Sequence, residues 1–132
     1  MIPIPEDSEL QPLDTIPIKK PEAKQQARLV AALRRKWSTL PNPPLVFSVP
    51  MGGSRNAVEA CSLRTQGATA GVPDLCILLP EARVIWLEMK ADNGALSPTQ
   101  IALHRQFAGL QHNVLVAYSA EDALAQLRTK TA

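Results

Sequence analysis

No apolar run in the sequence approaches the roughly 18–20 residues that a membrane-crossing helix requires, so no helical span and no membrane partner are expected. The opening stretch, Met1-Ile2-Pro3-Ile4-Pro5-Glu6-Asp7, lacks the basic region and apolar core of a secretory leader. A cytoplasmic location is the expectation. Cysteine is scarce: Cys61 and Cys76 form neither a C-x-x-C pair nor a disulfide framework. Cys76 lies inside an apolar run and reads as a small buried hydrophobe. Neither His104 nor His112 has a second ligand at metal-binding spacing, which argues against a zinc site. A strong charge imbalance is also missing. The net charge of +2 does not by itself announce a nucleic-acid partner.

What is present is an ordinary globular composition, 45% apolar and 20% charged, in 132 residues. That length suits one domain with one core. Residues 1–20 hold Pro3, Pro5, Pro12 and Pro17 with little periodicity, and read as an extended arm ordered against another surface. Pro21 fits a first helical position, and a helix is predicted from there to about Trp37. Glu22, Leu29 and Leu33 share one stripe of it, the carboxylate at the N-terminal end. Prolines 41, 43 and 44 end the helix before a short strand, Leu45 to Val49.

Met51-Gly52-Gly53-Ser54 reads as a turn and Arg55 to Gln66 as a second helix. Leu75 to Leu79 and Val84 to Met89 form a predicted hairpin around Pro80-Glu81-Ala82. Ser97, Pro98 and Gln100 spell a helix start with a capping box, with Leu96 and Ile101 as a hydrophobic staple. Leu103, Phe107 and Leu110 are expected to be that helix's buried face. Val114 to Tyr118 is the last strand, and Ser119 caps a final helix with Ala123, Leu124 and Leu127 turned inward. The order predicts an α/β sandwich: a mixed sheet of about four strands flanked by helices. The division expected is an arm over 1–20 and a single domain over 21–132.

The hairpin carries the chemistry. With a three-residue loop, Leu79 faces Arg83 and Asp74 faces Glu88. Directly opposed residues hold their Cβ atoms about 4.5–5.5 Å apart on one face. Two carboxylates there repel unless a cation joins them, and a hard divalent ion with oxygen ligands at about 2.0–2.6 Å spans the gap. Alternation puts Lys90 on the same face, roughly 6.6–7 Å along from Glu88. From there an ammonium can touch a water or phosphate and offset developing negative charge. A four-residue loop would shift the pairing by one and turn Asp74 to the other face. The sequence leaves that choice open. Each residue alone also has a plain alternative, since Asp74 after Pro73 can simply open a strand, and Glu88 and Lys90 can be a solvated strand end.

The segments Gly67-Ala68-Thr69-Ala70-Gly71-Val72-Pro73-Asp74-Leu75 and Trp86-Leu87-Glu88-Met89-Lys90 resemble the VRR-NUC branch of the PD-(D/E)XK nucleases. So do Gly94-Ala95-Leu96-Ser97-Pro98-Thr99-Gln100 and Val114-Leu115-Val116-Ala117-Tyr118-Ser119. The likeness covers about Pro21 to Leu127. It implies a restriction-endonuclease-like fold and phosphodiester hydrolysis dependent on Mg²⁺ or Mn²⁺. By position, Asp74 and Glu88 would be metal ligands and Lys90 the catalytic lysine. Glu22 would be an additional acidic ligand, and the Met89 backbone carbonyl would complete the metal set. Gln100 would be a further catalytic residue, or a helix cap, or both.

Met51-Gly52-Gly53-Ser54-Arg55 is similar to a glycine-rich basic stretch in compact bacterial and phage members. Arg55, Arg64 and Lys24 would then contact DNA. With Glu22, Asp74 and Glu88 taken up by metal, the remaining surface would be moderately cationic, which suits phosphate contacts. Stand-alone members resemble dimeric resolvases of four-way (Holliday) junctions, which implies a homodimer acting on branched DNA in repair or recombination. Flap or duplex DNA are alternative substrates. A non-cleaving DNA-binding module with the same fold, and a metal-independent protein-interaction domain, are the competing functions.

Overall fold

The computed structural model describes residues 1–50 and 56–132. After two 3₁₀ turns, Asp7–Glu9 and Leu13–Thr15, come α1 (Pro21–Trp37), β1 (Leu45–Ser48), α2 (Ala57–Thr65), β2 (Leu75–Leu79) and β3 (Arg83–Met89). Then follow α3 (Pro98–Gly109), β4 (Val114–Ala117) and α4 (Ala120–Thr131). The turn expected over 51–54, and Arg55, lie outside the described residues.

The strands form one sheet in the order β1-β2-β3-β4. The first three are antiparallel neighbours and β4 runs parallel to β3. Parallel neighbours cannot be joined by a tight turn, so α3 supplies the crossover. The sheet is therefore mixed, as expected, with helices flanking it.

One face is covered by α1 and α4. Leu29, Leu33 and Trp37 from α1 and Ala123, Leu124 and Leu127 from α4 bury against Val46, Leu75, Ile77, Ile85, Leu87, Leu115 and Ala117. Between the helices, the Arg28 guanidinium bonds both oxygens of Glu121, at 2.9 and 3.2 Å. Gln25 Oε1 accepts the Ala120 N–H at the start of α4, at 2.8 Å. These charge-assisted and capping bonds fix the helix pair as the apolar stripe alone would not.

The surface against which residues 1–20 are ordered is the chain's own. A proline-rich extended stretch has no ladder to satisfy its carbonyls, so they need side-chain donors. Trp37 Nε1 donates to the Pro3 carbonyl and Arg128 to that of Pro5, both at 2.7 Å. Arg35 donates to the Glu9 carbonyl and Arg28 to that of Gln11, both at 2.8 Å. Leu10 and Ile16 of this segment are themselves buried.

The opposite face is covered differently. α3 lies over it, with Phe107 meeting Trp86 edge-to-face at 5.2 Å between centroids. None of the residues of α3 is fully buried, and Leu110, expected on its inner face, is 67% exposed. The inner stripe is instead His104 and Phe107, with Leu103 only partly covered. The expected face holds at Phe107 and in part at Leu103 and fails at Leu110, while a histidine takes a place where a hydrophobe was sought.

Candidate active site

The hairpin takes the three-residue loop. Leu79 pairs with Arg83, Cys76 with Trp86 and Leu75 with Leu87. Glu81 and Ala82 both adopt positive φ, 65° and 60°, which closes the turn at that length. One step beyond Leu75, the Asp74 backbone stays aligned, its carbonyl accepting the Val49 N–H at 2.9 Å. Asp74 thus stands opposite Glu88, on the face shared with Cys76 and Trp86. Its Oδ2 accepts the Met89 N–H at 2.9 Å, which pins the carboxyl group over the end of β3.

Two further devices hold this corner. Gly71 has φ +89° and lies so close to α3 that an added Cβ would sit 3.0 Å from the Thr99 carbonyl oxygen. Only glycine allows both that conformation and that approach. At the start of α3, the Ser97 hydroxyl accepts the Gln100 N–H at 3.1 Å and Gln100 Oε1 accepts the Ser97 N–H at 2.9 Å. The expected capping box is therefore complete. Gln100 is engaged in fixing the helix that faces Glu88.

Glu88 is the most perturbed group of the corner. It is only 3% exposed, and its Oε1 has no hydrogen-bond partner among the described residues. Burial first, then a hydrogen bond with the Asp74 carboxyl and that group's charge, push its pKa up to about 9. Glu22 adds to the rise and Lys90 opposes it. Glu22 therefore reaches the pair electrostatically from the first turn of α1, although its side chain is exposed. Lys90 is half-buried at the end of β3, its N–H continuing the ladder to the Ala117 carbonyl at 2.9 Å.

Sequence reasoning passed over His104. Its Nε2 lies 3.7 Å from Glu88 Oε1, and it too is buried without a partner. Burial, then the Lys90 charge, lower its pKa, so the neutral ring is favoured. The available signal was the spacing of Gln100, His104 and Phe107 at i, i+4 and i+7, which lays one helix stripe along Glu88 and Trp86. A search for paired metal ligands along the chain could not see it.

The basic residues of the first third divide in two. Arg28, Arg34, Arg35 and Lys36 bond their own chain, through Glu121, the Val46 carbonyl, the Glu9 carbonyl and the Glu9 carboxylate. Lys19, Lys20 and Lys24 make no side-chain hydrogen bond among the described residues, and Arg64 is exposed on α2. Arg55 is outside the described residues.

The donor set fits a hard divalent cation. Two carboxyls are pressed together, one of them with an orphaned oxygen in a water-poor corner. Among the described residues no three His, Cys, Asp or Glu side chains gather tightly enough to ligate an ion together. Mg²⁺ commonly takes one or two carboxylates and completes its octahedron with water and substrate phosphate. Two carboxylates therefore suffice.

The VRR-NUC domain family matches residues 21–121. A solved structure titled "VRR_NUC domain protein" superposes with a TM-score of 0.66 at 19% identity, covering 85% of this chain and 88% of its own. A second, titled "VRR_NUC domain", gives 0.54 at 22% identity, covering 80% and 95%. At these identities the likeness establishes the fold. No curated protein matches the chain. No helix among the described residues is long and apolar enough to cross a membrane. With the match spanning the sheet, the hairpin carboxyls and the helices around them, the chain belongs to the VRR-NUC domain family, a nuclease-type family.

Proposed function

We propose that the protein is an Mg²⁺- or Mn²⁺-dependent endonuclease that hydrolyses phosphodiester bonds in branched DNA, with four-way junctions as its preferred substrate. The observation that carries this reading is the contact between Asp74 and Glu88 across one strand pair. Burial and the neighbouring Asp74 carboxyl push the Glu88 pKa up to about 9, a crowding that a cation between the two groups would relieve. A structural carboxyl pair at the rim of a sheet would gain by pointing into water; this pair is turned inward instead.

Asp74, Glu88 and the Met89 carbonyl would hold the metal, with Glu22 the outer acidic group. When bound, the ion would lower the pKa of a coordinated water and polarise the scissile phosphate. The Met89 N–H holds Asp74 Oδ2, so the first carboxyl is oriented before substrate arrives. Lys90, on the same face, places its ammonium against the attacking water or the phosphate and offsets charge as it develops. Gln100 keeps the N-terminus of α3 rigid beside the reacting centre. Lys24, Arg55 and Arg64 are proposed to bind the phosphodiester backbone. Such contacts predict affinity that falls with salt.

A domain of this size presents little surface to a junction, so the active form is proposed to be a homodimer with two sites. The N-terminal segment is engaged with its own helices rather than extended toward a partner. The test is cleavage of four-way, flap and linear duplex DNA with Mg²⁺ or Mn²⁺, alongside sizing in solution. Metal-dependent nicking of junctions that Lys90→Ala abolishes is expected. Preference for flap or duplex DNA would move the substrate assignment. Binding of branched DNA without cleavage by any metal form would instead support a non-cleaving module.

A further inference from the structure

Glu88 Oε1 and His104 Nε2 face each other 3.7 Å apart, and both are buried polar atoms without a hydrogen-bond partner among the described residues. One such atom is a defect; two aimed at each other across a helix–sheet contact are a matched pair. The carboxylate oxygen can only accept when ionised, and the imidazole nitrogen donates if it carries the ring proton. Asp74 and Lys90 also lie near Glu88, but among the described residues neither is paired with its Oε1. Asp74 Oδ2 already holds the Met89 N–H, and Phe107, one turn further along α3, packs on Trp86.

We infer that His104 is a positioning residue: its Nε2–H donates to Glu88 Oε1 and leaves Oε2 to face the cation. This inference rests on the metal-dependent reading of the site. The approach from 3.7 Å to hydrogen-bonding distance needs less than 1 Å of side-chain movement, which a change of χ within a rotamer well supplies. The proton on Nε2 fixes the tautomer, leaving Nδ1 as the acceptor. Carboxylates that bind metals are commonly held in this way by a partner outside the metal's own shell. The capping box on Ser97 and Gln100 and the close approach of Gly71 to Thr99 then acquire a purpose. They fix α3 at the height where residue 104 meets residue 88.

The experiment measures Mn²⁺ binding to the intact chain by calorimetry, together with thermal unfolding. His104→Ala is expected to weaken Mn²⁺ binding about 10- to 100-fold, with unfolding little changed. His104→Gln, whose amide N–H can donate to the same oxygen, is expected to recover most of it. On the unaltered protein, ¹⁵N NMR of the ring should show the proton on Nε2, which keeps the inference testable if His104→Ala fails to fold.

Mn²⁺ affinity unchanged in His104→Ala but abolished in Asp74→Ala would overturn the positioning role and leave the metal site standing. An imidazole nitrogen coupling in the pulsed EPR spectrum of bound Mn²⁺ would also overturn it, by making His104 a ligand. No Mn²⁺ binding by the unaltered protein would remove the metal reading and this inference together.

Discussion

The two faces of the sheet solve opposite problems with the same strands. Toward α1 and α4, Leu75, Ile77, Leu87 and Ala117 are closed off completely, and the polar groups nearby, such as Arg28 and Glu121, are fully paired. Toward α3, Leu78 is 40% exposed, yet Glu88 and His104 keep buried atoms unpaired. Stability is concentrated on the first face and unresolved polarity on the second. A fold that pairs Arg28 with Glu121 where it packs and leaves Glu88 and His104 unsatisfied where it is open is built around the open side.

The largest separation between the faces should appear in catalysis. Lys90→Ala should lower metal-dependent cleavage by roughly 10²–10⁴-fold, the range for losing a positioned acid–base or charge-stabilising group. Its thermal midpoint should barely move, because the side chain is only half-buried at a strand end. A parallel loss of folding and activity would break the separation.

Next in size is packing. Leu87→Ala, on the closed face, should cost about 2–5 kcal/mol in chemical denaturation, as deep truncations do. Leu78→Ala, two fifths exposed on the open face, should cost well under that, about 1 kcal/mol. Equal costs would mean that the open face is covered by something else, a second copy included.

Much of this was legible beforehand, for identifiable reasons. Ser97-Pro98-Thr99-Gln100 names its own helix start because capping is local chemistry, and the structure supplies both bonds of the box. The facing of Asp74 and Glu88 was legible only on condition of a three-residue loop, which the structure supplies, because register propagates along a hairpin without loss. His104 was hidden because its partner lies on another element, across a parallel crossover that no local spacing encodes. The role of residues 1–20 was hidden for the same reason. Prolines announce an extended chain, while the donors that capture its carbonyls come from Trp37, Arg35 and Arg128, far away in sequence. Leu110 was misplaced because period 3.6 identifies a stripe without saying which one meets the sheet.

Smaller effects sharpen the comparison at the corner where the faces meet. Gly71→Ala combines a positive φ with a 3.0 Å approach to the Thr99 carbonyl, and should cost about 1–3 kcal/mol. It should reduce cleavage more than that loss of stability explains, since the loop leads directly into Asp74. Ser97→Ala removes the cap of α3 and should cost about 1 kcal/mol. Comparing kcat with KM on a junction substrate would show whether the loosened helix acts on chemistry or on binding.

Unfolding against pH, with and without Mn²⁺, tests the carboxyl pair most directly. Glu88 has a pKa near 9 in the folded chain and an ordinary value near 4.5 when unfolded. Its contribution to stability is whole below about 4.5 and is lost as pH rises toward 9, because the unfolded chain releases the proton first. Metal-free protein should therefore lose stability across that window. Mn²⁺ should reverse the trend by binding the ionised pair, and Glu88→Gln should flatten both curves. If the metal-free curve is level, or if Mn²⁺ stabilises Glu88→Gln as much as the unaltered protein, the pair is not a cation site and the nuclease mechanism drawn from it fails.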